Sequence, residues 1–146
     1  MIIRMAKSED LESLCKVFRA YLDFYQVRDG DERIRPFLRE RLELKDSVIF
    51  LVEEGTEVVG FSQLYPSFSS LRMRKSWILN DLYINPAVRN RGYASTLMDA
   101  IEKFSRDSGA KGLVLSTAQD NQSAQRLYEK RGWKRDTTYL HYFLNH

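Results

Sequence analysis

The spacing of apolar residues changes several times along this chain, and each change marks an element. Ile2 to Met5 forms a short apolar start that predicts a strand. From Ser8 onward, Leu11, Leu14, Cys15, Phe18, Tyr21, Leu22 and Tyr25 recur at steps of three and four, the period of an amphipathic helix. Ser8 supplies a cap, and Glu9 and Asp10 put acidic groups where a helix start favours them. Asp29-Gly30-Asp31 breaks the pattern, and a second helix follows from roughly Glu32 to Leu44, with Ile34, Phe37, Leu38 and Leu42 inward. Val48 to Val52 is an unbroken apolar run suited to a central strand. Glu54-Gly55-Thr56 turns it, and Val58 to Tyr65 returns as the second arm of a hairpin. Pro66 to Ser70 reads as a polar loop before a long strand, Ser76 to Ile84. Ala94, Leu97, Met98, Ile101 and Phe104 then restore helical spacing, in a helix from about Gly92 to Asp107 that is capped near Gly109. Leu113 to Thr117 is a further strand, Asn121 to Arg131 a helix stopped at Gly132, and Trp133 to Asp136 and Tyr139 to Leu144 are closing strands. The order β-α-α-β-β-β-α-β-α-β-β predicts an α/β fold, one mixed sheet with helices on both faces. With no repeat or linker, residues 1–146 are expected to form a single domain.

Composition narrows the function classes. The single cysteine, Cys15, lies on the apolar face of the first helix and is expected to be packed rather than reactive. One cysteine forms no disulfide within a chain, which fits a reducing compartment. No signal-like or membrane-spanning apolar run is present, so a cytoplasmic location without membrane association is expected. A net charge of +3 is too small to argue for nucleic acid. Basic residues do gather at Arg72 to Lys75, Arg89 to Arg91 and Lys130 to Arg135, but no recognition-helix pattern or aromatic platform accompanies them. His141 and His146 lack ligand companions, and no metal is expected.

Candidate chemistry is concentrated in the stretch Asn85-Pro86-Ala87-Val88-Arg89-Asn90-Arg91-Gly92-Tyr93-Ala94, between the long strand and the next helix. The first N–H groups of a helix have no partner inside it and point outward at the positive end of the macrodipole. The small-residue step Gly92-x-Ala94 lets an anion approach the backbone, and Arg89 and Arg91 add positive charge. That combination suits a pyrophosphate; an ordinary turn relieved by glycine uses the same residues. A second motif runs from Asn121 to Trp133. Ala124, Leu127 and Tyr128 share one helix face there, with Asn121 a turn earlier. Read alone, it is a capped helix with a core aromatic.

Together these motifs resemble the GNAT superfamily of N-acetyltransferases, across the whole order of elements and most specifically over Asn80 to Ala94 and Asn121 to Trp133. The resemblance implies that the strand Ser76 to Ile84 splays from Leu113 to Thr117, with acetyl-CoA in the wedge. It implies that Arg89, Gly92 and Ala94 form the pyrophosphate signature, with N–H groups from Asn90, Arg91, Gly92, Tyr93, Ala94 and Ser95 at the phosphates. Leu82, Tyr83 and Ile84 would pair with the pantetheine arm, the Ile84 N–H polarising the thioester carbonyl. Asn121 and Ser123 would contact the cofactor, and Tyr128 would protonate the departing thiolate. The implied activity is direct acetyl transfer to a primary amine: a small amine, polyamine, amino acid or protein amino group.

The base is the departure from pattern. Asn80-Asp81-Leu82-Tyr83 is similar to a step of the polyamine, histone and D-amino-acid acetyltransferase branch, but Asn80 stands where polyamine enzymes carry glutamate. Asp81 remains, and strand alternation predicts it on the face opposite Asn80. Asp81 acts through water, or Asn80 orients the amine and solvent takes the proton, or Asp81 only stabilises the fold. Asp29, Asp31 and Glu32 offer negative charge on the acceptor side, and Trp77, Tyr83, Phe68 and Tyr139 are candidates for an aromatic acceptor pocket. The alternative function is a non-catalytic acyl-CoA-binding sensor or assembly module. The aromatic strand Tyr139 to Leu144 has an edge character that suits a homodimer.

Overall fold

The structure, a computed structural model, describes every residue except Asp29. The chain forms two compact units, Met1–Leu115 and Ser116–His146. In the first, β1 (Ile2–Met5), β2 (Val48–Glu54), β3 (Glu57–Ser69), β4 (Arg74–Ile84) and β5 (Leu113–Val114) lie side by side in that order. β1 to β4 pair antiparallel, and β5 joins β4 in parallel. A parallel neighbour needs a crossover. The helix α3 (Tyr93–Asp107) lies in that connection, whereas α1 (Leu11–Phe24) and α2 (Asp31–Leu44) lie between β1 and β2.

Alternation along β2 feeds two cores. Leu51 joins Phe61 of β3 beneath α1 and α2, with Leu14, Val17, Ile34 and Leu38. Its neighbour Phe50 turns to the other face and meets Phe104 of α3 at 5.9 Å between ring centroids, beside fully buried Leu97, Met98 and Ile101. Cys15 packs partly buried against the first core, and burial pushes its thiol pKa up, away from reactivity.

Several boundaries differ from the sequence reading. α1 starts at Leu11, after a 3-10 turn at Ser8–Asp10 that lacks a cap from Ser8. Asp10 Oδ2 instead accepts the Lys7 N–H at 2.7 Å, and both Asp10 oxygens accept from Arg4 at 2.8 Å. Phe37 is not fully inward; its ring lies under the Arg41 guanidinium at 4.9 Å. The expected loop Pro66 to Ser70 is strand as far as Ser69. Pro66 is tolerated because it sits opposite Trp77, whose N–H bonds outward to Gly112. Both residues of such a pair point away from each other, and β2 has stopped pairing by Leu64, so no ladder bond is lost at the proline.

β5 is shorter than expected, ending at Val114 rather than Thr117. The second unit contains α4 (Gln122–Lys130), capped by Asn121 and followed by Gly132 at φ +93°. Trp133 to Asp136 and Tyr139 to Leu144 are not strands. A strand exists only with a ladder partner, and within its own unit this tail has none. Asp136 Oδ1 instead takes the N–H groups of Thr138 and Tyr139 at 2.9 and 3.1 Å, closing a local turn. Among the described residues no helix is long and apolar enough to cross a membrane, and no group of three metal-ligating side chains occurs.

Candidate active site

A single inserted residue shapes the centre of the sheet. Gln63 of β3 stands opposite Asp81 of β4, but Leu64 stands opposite Leu79, so Asn80 is left over as a β-bulge. The bulge reverses the parity of β4. Trp77, before it, faces α3: its ring is 5.1 Å from Phe104 and its Nε1 donates to Ser108 Oγ at 3.0 Å. Asp81 and Tyr83, after it, face α1. Strict alternation therefore fails for Asn80 and Asp81, whose side chains meet, Asn80 Nδ2 donating to Asp81 Oδ1 at 3.2 Å. The expected aromatic pocket is corrected for the same reason. Trp77 and Tyr83 lie on opposite faces, Phe68 is exposed, and Tyr139 belongs to the second unit, also exposed.

Asp81 is 6% exposed and receives two further bonds. Tyr21 of α1 donates its hydroxyl to Oδ1 at 2.6 Å, and buried Gln63 donates Nε2 to Oδ2 at 3.1 Å. Ser47 Oγ in turn donates to Gln63 Oε1 at 2.9 Å, reaching a groove of about 490 Å³ between Met5–Glu9 and the end of α2. Burial, then the bond to Asp81, pushes the Tyr21 phenol well above its ordinary range. Burial, with the nearby Asp81 charge, pushes Tyr65 up to about 12. Both stay neutral phenols. The Tyr21 ring is walled by Tyr25, Phe61 and Tyr83 at 5.1 to 5.9 Å. The sequence reading placed Tyr21 only on a core face and did not single out Gln63; a glutamine inside an apolar strand was the available signal.

The outer edge of β4 is the second feature. Pairing with β5 covers only Trp77 and Ile78, so among the described residues no strand lies beside Leu79 to Ile84. The Asn85 N–H bonds to Val59 of β3 at 2.7 Å. By alternation Leu82 and Ile84 direct their backbone groups the other way, to the open edge, while Tyr83 faces β3. Gly60 makes that closeness possible: a Cβ there would sit 2.6 Å from the Tyr83 carbonyl oxygen.

β4 runs into the loop. Asn85 Oδ1 accepts the Ala87 N–H at 2.9 Å, a 3-10 turn occupies Pro86–Val88, and Asn90 and Gly92 both take left-handed backbone, at φ +65° and +78°. Gly92 starts α3 without a side-chain cap, and a Cβ on it would meet nothing within 4 Å. Tyr93, Ala94 and Ser95 form the half-buried first turn. Arg89 is committed elsewhere: its Nε donates to the Ile84 carbonyl at 3.0 Å and its guanidinium lies 4.7 Å over Phe24. Arg91 pairs with Glu54 at 3.3 Å. The arginines thus brace the loop, while the fifteen-residue α3 starts at Gly92 with no side-chain cap and with room for a Cβ there. A bare strand edge leading to that start fits an extended arm joined to a diphosphate, as the pantetheine arm of acetyl-CoA is.

In the second unit, Asn121 Oδ1 caps α4 through the Ala124 N–H at 3.3 Å and accepts from Ser123 Oγ at 3.4 Å. The Tyr128 ring packs on Trp133 at 5.8 Å. His141 Nε2 is 3.2 Å from Asp136 Oδ2. Of the acidic residues expected near the acceptor, Asp29 lies outside the described residues, Asp31 is paired with Arg19, and Glu32 is exposed.

Comparison with known proteins defines the class. The model of the acetyltransferase (GNAT) family matches residues 14–133. The chain belongs to the acetyltransferase (GNAT) family, and it is an acetyltransferase. It is 41% identical to the uncharacterized N-acetyltransferase YhfO of Bacillus subtilis, over 99% of this chain and 97% of that one. A crystal structure of a probable acetyltransferase superposes with a TM-score of 0.92 at 38% identity, covering 99% of this chain and 97% of the other. The aminoalkylphosphonate N-acetyltransferase of Salmonella typhimurium is 29% identical over 90% of this chain and 84% of its own length. Acetyl-CoA is the acyl donor of this family.

Proposed function

We propose that this chain transfers the acetyl group of acetyl-CoA to a primary amine by direct attack, without a covalent enzyme intermediate. The observation that carries the reading is the bare outer edge of β4 leading into the uncapped, left-handed start of α3 at Gly92. Residues 1–146 act as one catalytic domain in this reading, since the matched family span crosses both compact units. A lone, partly buried cysteine and dependence on acetyl-CoA suit the cytoplasm. The exposed apolar residues of the tail, Tyr139, Leu140, Tyr142, Phe143 and Leu144, suit a homodimer.

Bound acetyl-CoA supplies an activated acyl carbon and a thiolate leaving group. The N–H groups of Asn90 to Ser95 hold the diphosphate, with the α3 macrodipole behind them. Leu82, Tyr83 and Ile84 carry the pantetheine arm, and the Ile84 N–H, on the open edge, donates to the acyl oxygen as charge develops on it. One such donor is worth about 3 kcal/mol in related chemistry. Asn121 and Ser123 add polar contacts to the arm. Tyr128 Oη holds the proton that the departing sulfur takes, a contribution of about 10²–10⁴-fold for a positioned acid. Asp81 faces the acceptor nitrogen.

A panel of amines (2-aminoethylphosphonate, lysine, spermidine and ethanolamine), followed by thiol release from acetyl-CoA, tests the reading. Turnover of at least one is expected, and cofactor binding without turnover of any would leave an acyl-CoA-binding module. Gly92→Asp is expected to abolish cofactor binding through bulk and negative charge at the phosphate seat. Tyr128→Phe is expected to lower turnover more than it weakens cofactor binding; an unchanged rate removes Tyr128 from the acid role.

A further inference from the structure

The acceptor side is decided by how the Asp81 oxygens are used. An ionised carboxylate offers about four lone-pair directions. Oδ1 has both of its directions filled, by the Tyr21 hydroxyl at 2.6 Å and the Asn80 amide at 3.2 Å. Among the described residues, Oδ2 takes only Gln63 Nε2, at 3.1 Å. One acceptor direction therefore remains, on Oδ2, and its aim is set by side chains from three different elements: α1, β3 and the bulge of β4. Gln63 is itself held by Ser47, so it presents its N–H groups, not its carbonyl, to the acid. An amide passes no proton along the chain, so Ser47 and Gln63 orient the carboxylate and do not relay. The Tyr21 ring that carries the donor packs among Tyr25, Phe61 and Tyr83, and Asp81 is itself buried; a low local dielectric strengthens a charge-assisted bond made there.

We propose that Tyr21 and Gln63 are positioning residues that aim the free Oδ2 direction of Asp81 at the acceptor's ammonium group, making a protonated alkylamine the substrate class. The inference rests on the acetyl-transfer reading and specifies its acceptor subsite. A primary alkylamine enters as a cation at neutral pH, since an ammonium of this kind titrates near 10; it gives one proton to water beside Asp81, and the lone pair so freed forms the N–C bond as the C–S bond breaks. An analogue with a methyl group in place of the ammonium has the same shape but no donor, and gains nothing from a charged, aimed carboxylate.

Tyr21→Phe removes one hydroxyl and leaves the ring packing, so the fold is expected to persist; Gln63→Met keeps the volume of a buried side chain as a second variant. The probes are whichever panel amine turns over fastest and its analogue with a methyl group in place of the ammonium, used as a competitive inhibitor. For both variants the KM for the amine is expected to rise about tenfold, the loss of one charge-assisted bond. The KM for acetyl-CoA should hold within about twofold, and the inhibition constant of the methyl analogue, which has no donor, should stay unchanged. A residue that only shapes the pocket would weaken amine and methyl analogue alike. Parallel loss of both, or an unchanged amine KM, overturns the proposal while acetyl transfer stands. A wild-type enzyme that turns over no amine takes down both readings together.

Discussion

Gly60 is where the fold and the cofactor edge depend on the same missing atom. Its φ is not in the left-handed region, so backbone freedom does not explain the glycine. A Cβ placed there would lie 2.6 Å from the Tyr83 carbonyl oxygen and 2.7 Å from Ile84 Cδ1. The second contact yields if Ile84 rotates; the first is backbone and does not. Gly60→Ala therefore has to push β3 and β4 apart at Tyr83–Ile84, the segment assigned to the pantetheine arm. Overpacking of this kind costs about 1–3 kcal/mol, and a domain of this size loses about 3–4 °C of Tm per kcal/mol. A drop of about 3–12 °C is expected in a thermal melt, with weaker acetyl-CoA binding by calorimetry at a temperature where the variant is folded. Gly55→Ala is the control. Its φ is +64° and a Cβ there meets nothing, so it carries only the backbone cost of about 1 kcal/mol and leaves cofactor binding alone. Gly60→Ala melting with the wild type, or both variants behaving alike, would refute the steric argument.

Two further perturbations address stability. Ser62 is fully buried on the α3 face opposite Phe50, and its Oγ has no hydrogen-bond partner among the described residues; Ser62→Ala is expected to raise stability by about 1 kcal/mol, read as a higher urea midpoint with an unchanged slope. Arg4 holds the Asp10 carboxyl below its ordinary range, mainly through its hydrogen bonds and against the effect of burial. A depressed folded-state value means stability that is fully present above the unfolded value of about 4 and is lost as pH falls through the folded value. The gap in denaturation midpoint between wild type and Asp10→Asn should thus be widest above about pH 4 and close on further acidification; a gap independent of pH would rule out the ion pair as its source.

The elements that were legible in the sequence are those whose partners are local or whose period is long. α1 and α3 announce themselves by three- and four-residue spacing, and the expected order of elements is found as far as α4. β1 and the β2–β3 hairpin followed from short apolar runs around Gly55. The loop at Asn85–Gly92 was placed by residue type alone, because proline, asparagine and glycine each bring a backbone preference wherever they stand. Strand length was less legible. Pro66 argues against a strand until the pairing shows that its missing N–H points to a side where no neighbour remains. The tail failed for the opposite reason. Tyr139 to Leu144 has strand composition, but composition supplies no ladder partner, and the local turn at Asp136 wins.

The bulge at Asn80 was the least legible feature and has the largest consequence for the site. Period-two reasoning assigns Trp77, Leu79, Asp81 and Tyr83 to one face, and it is correct on each side of the insertion and wrong across it. No residue type in Leu79-Asn80-Asp81 requires an extra position, since the bulge is defined by the register against β3 and not by β4 alone. Yet that one residue lets Trp77 complete the core under α3 while Asp81 meets Tyr21 and Gln63 on the other face. It also lies just beyond the last pair with β5, and a bulged strand bends and twists more strongly. A straight neighbour cannot follow such a strand, which accounts for the bare edge from Leu79 to Ile84. The acid on one face and the open edge along the strand therefore share a cause, and deleting Asn80 should cost both at once: Asp81 would turn toward α3 and β5 would gain pairing beyond Val114. A variant lacking Asn80 that kept acetyl-CoA binding and acceptor KM at wild-type values would break that link.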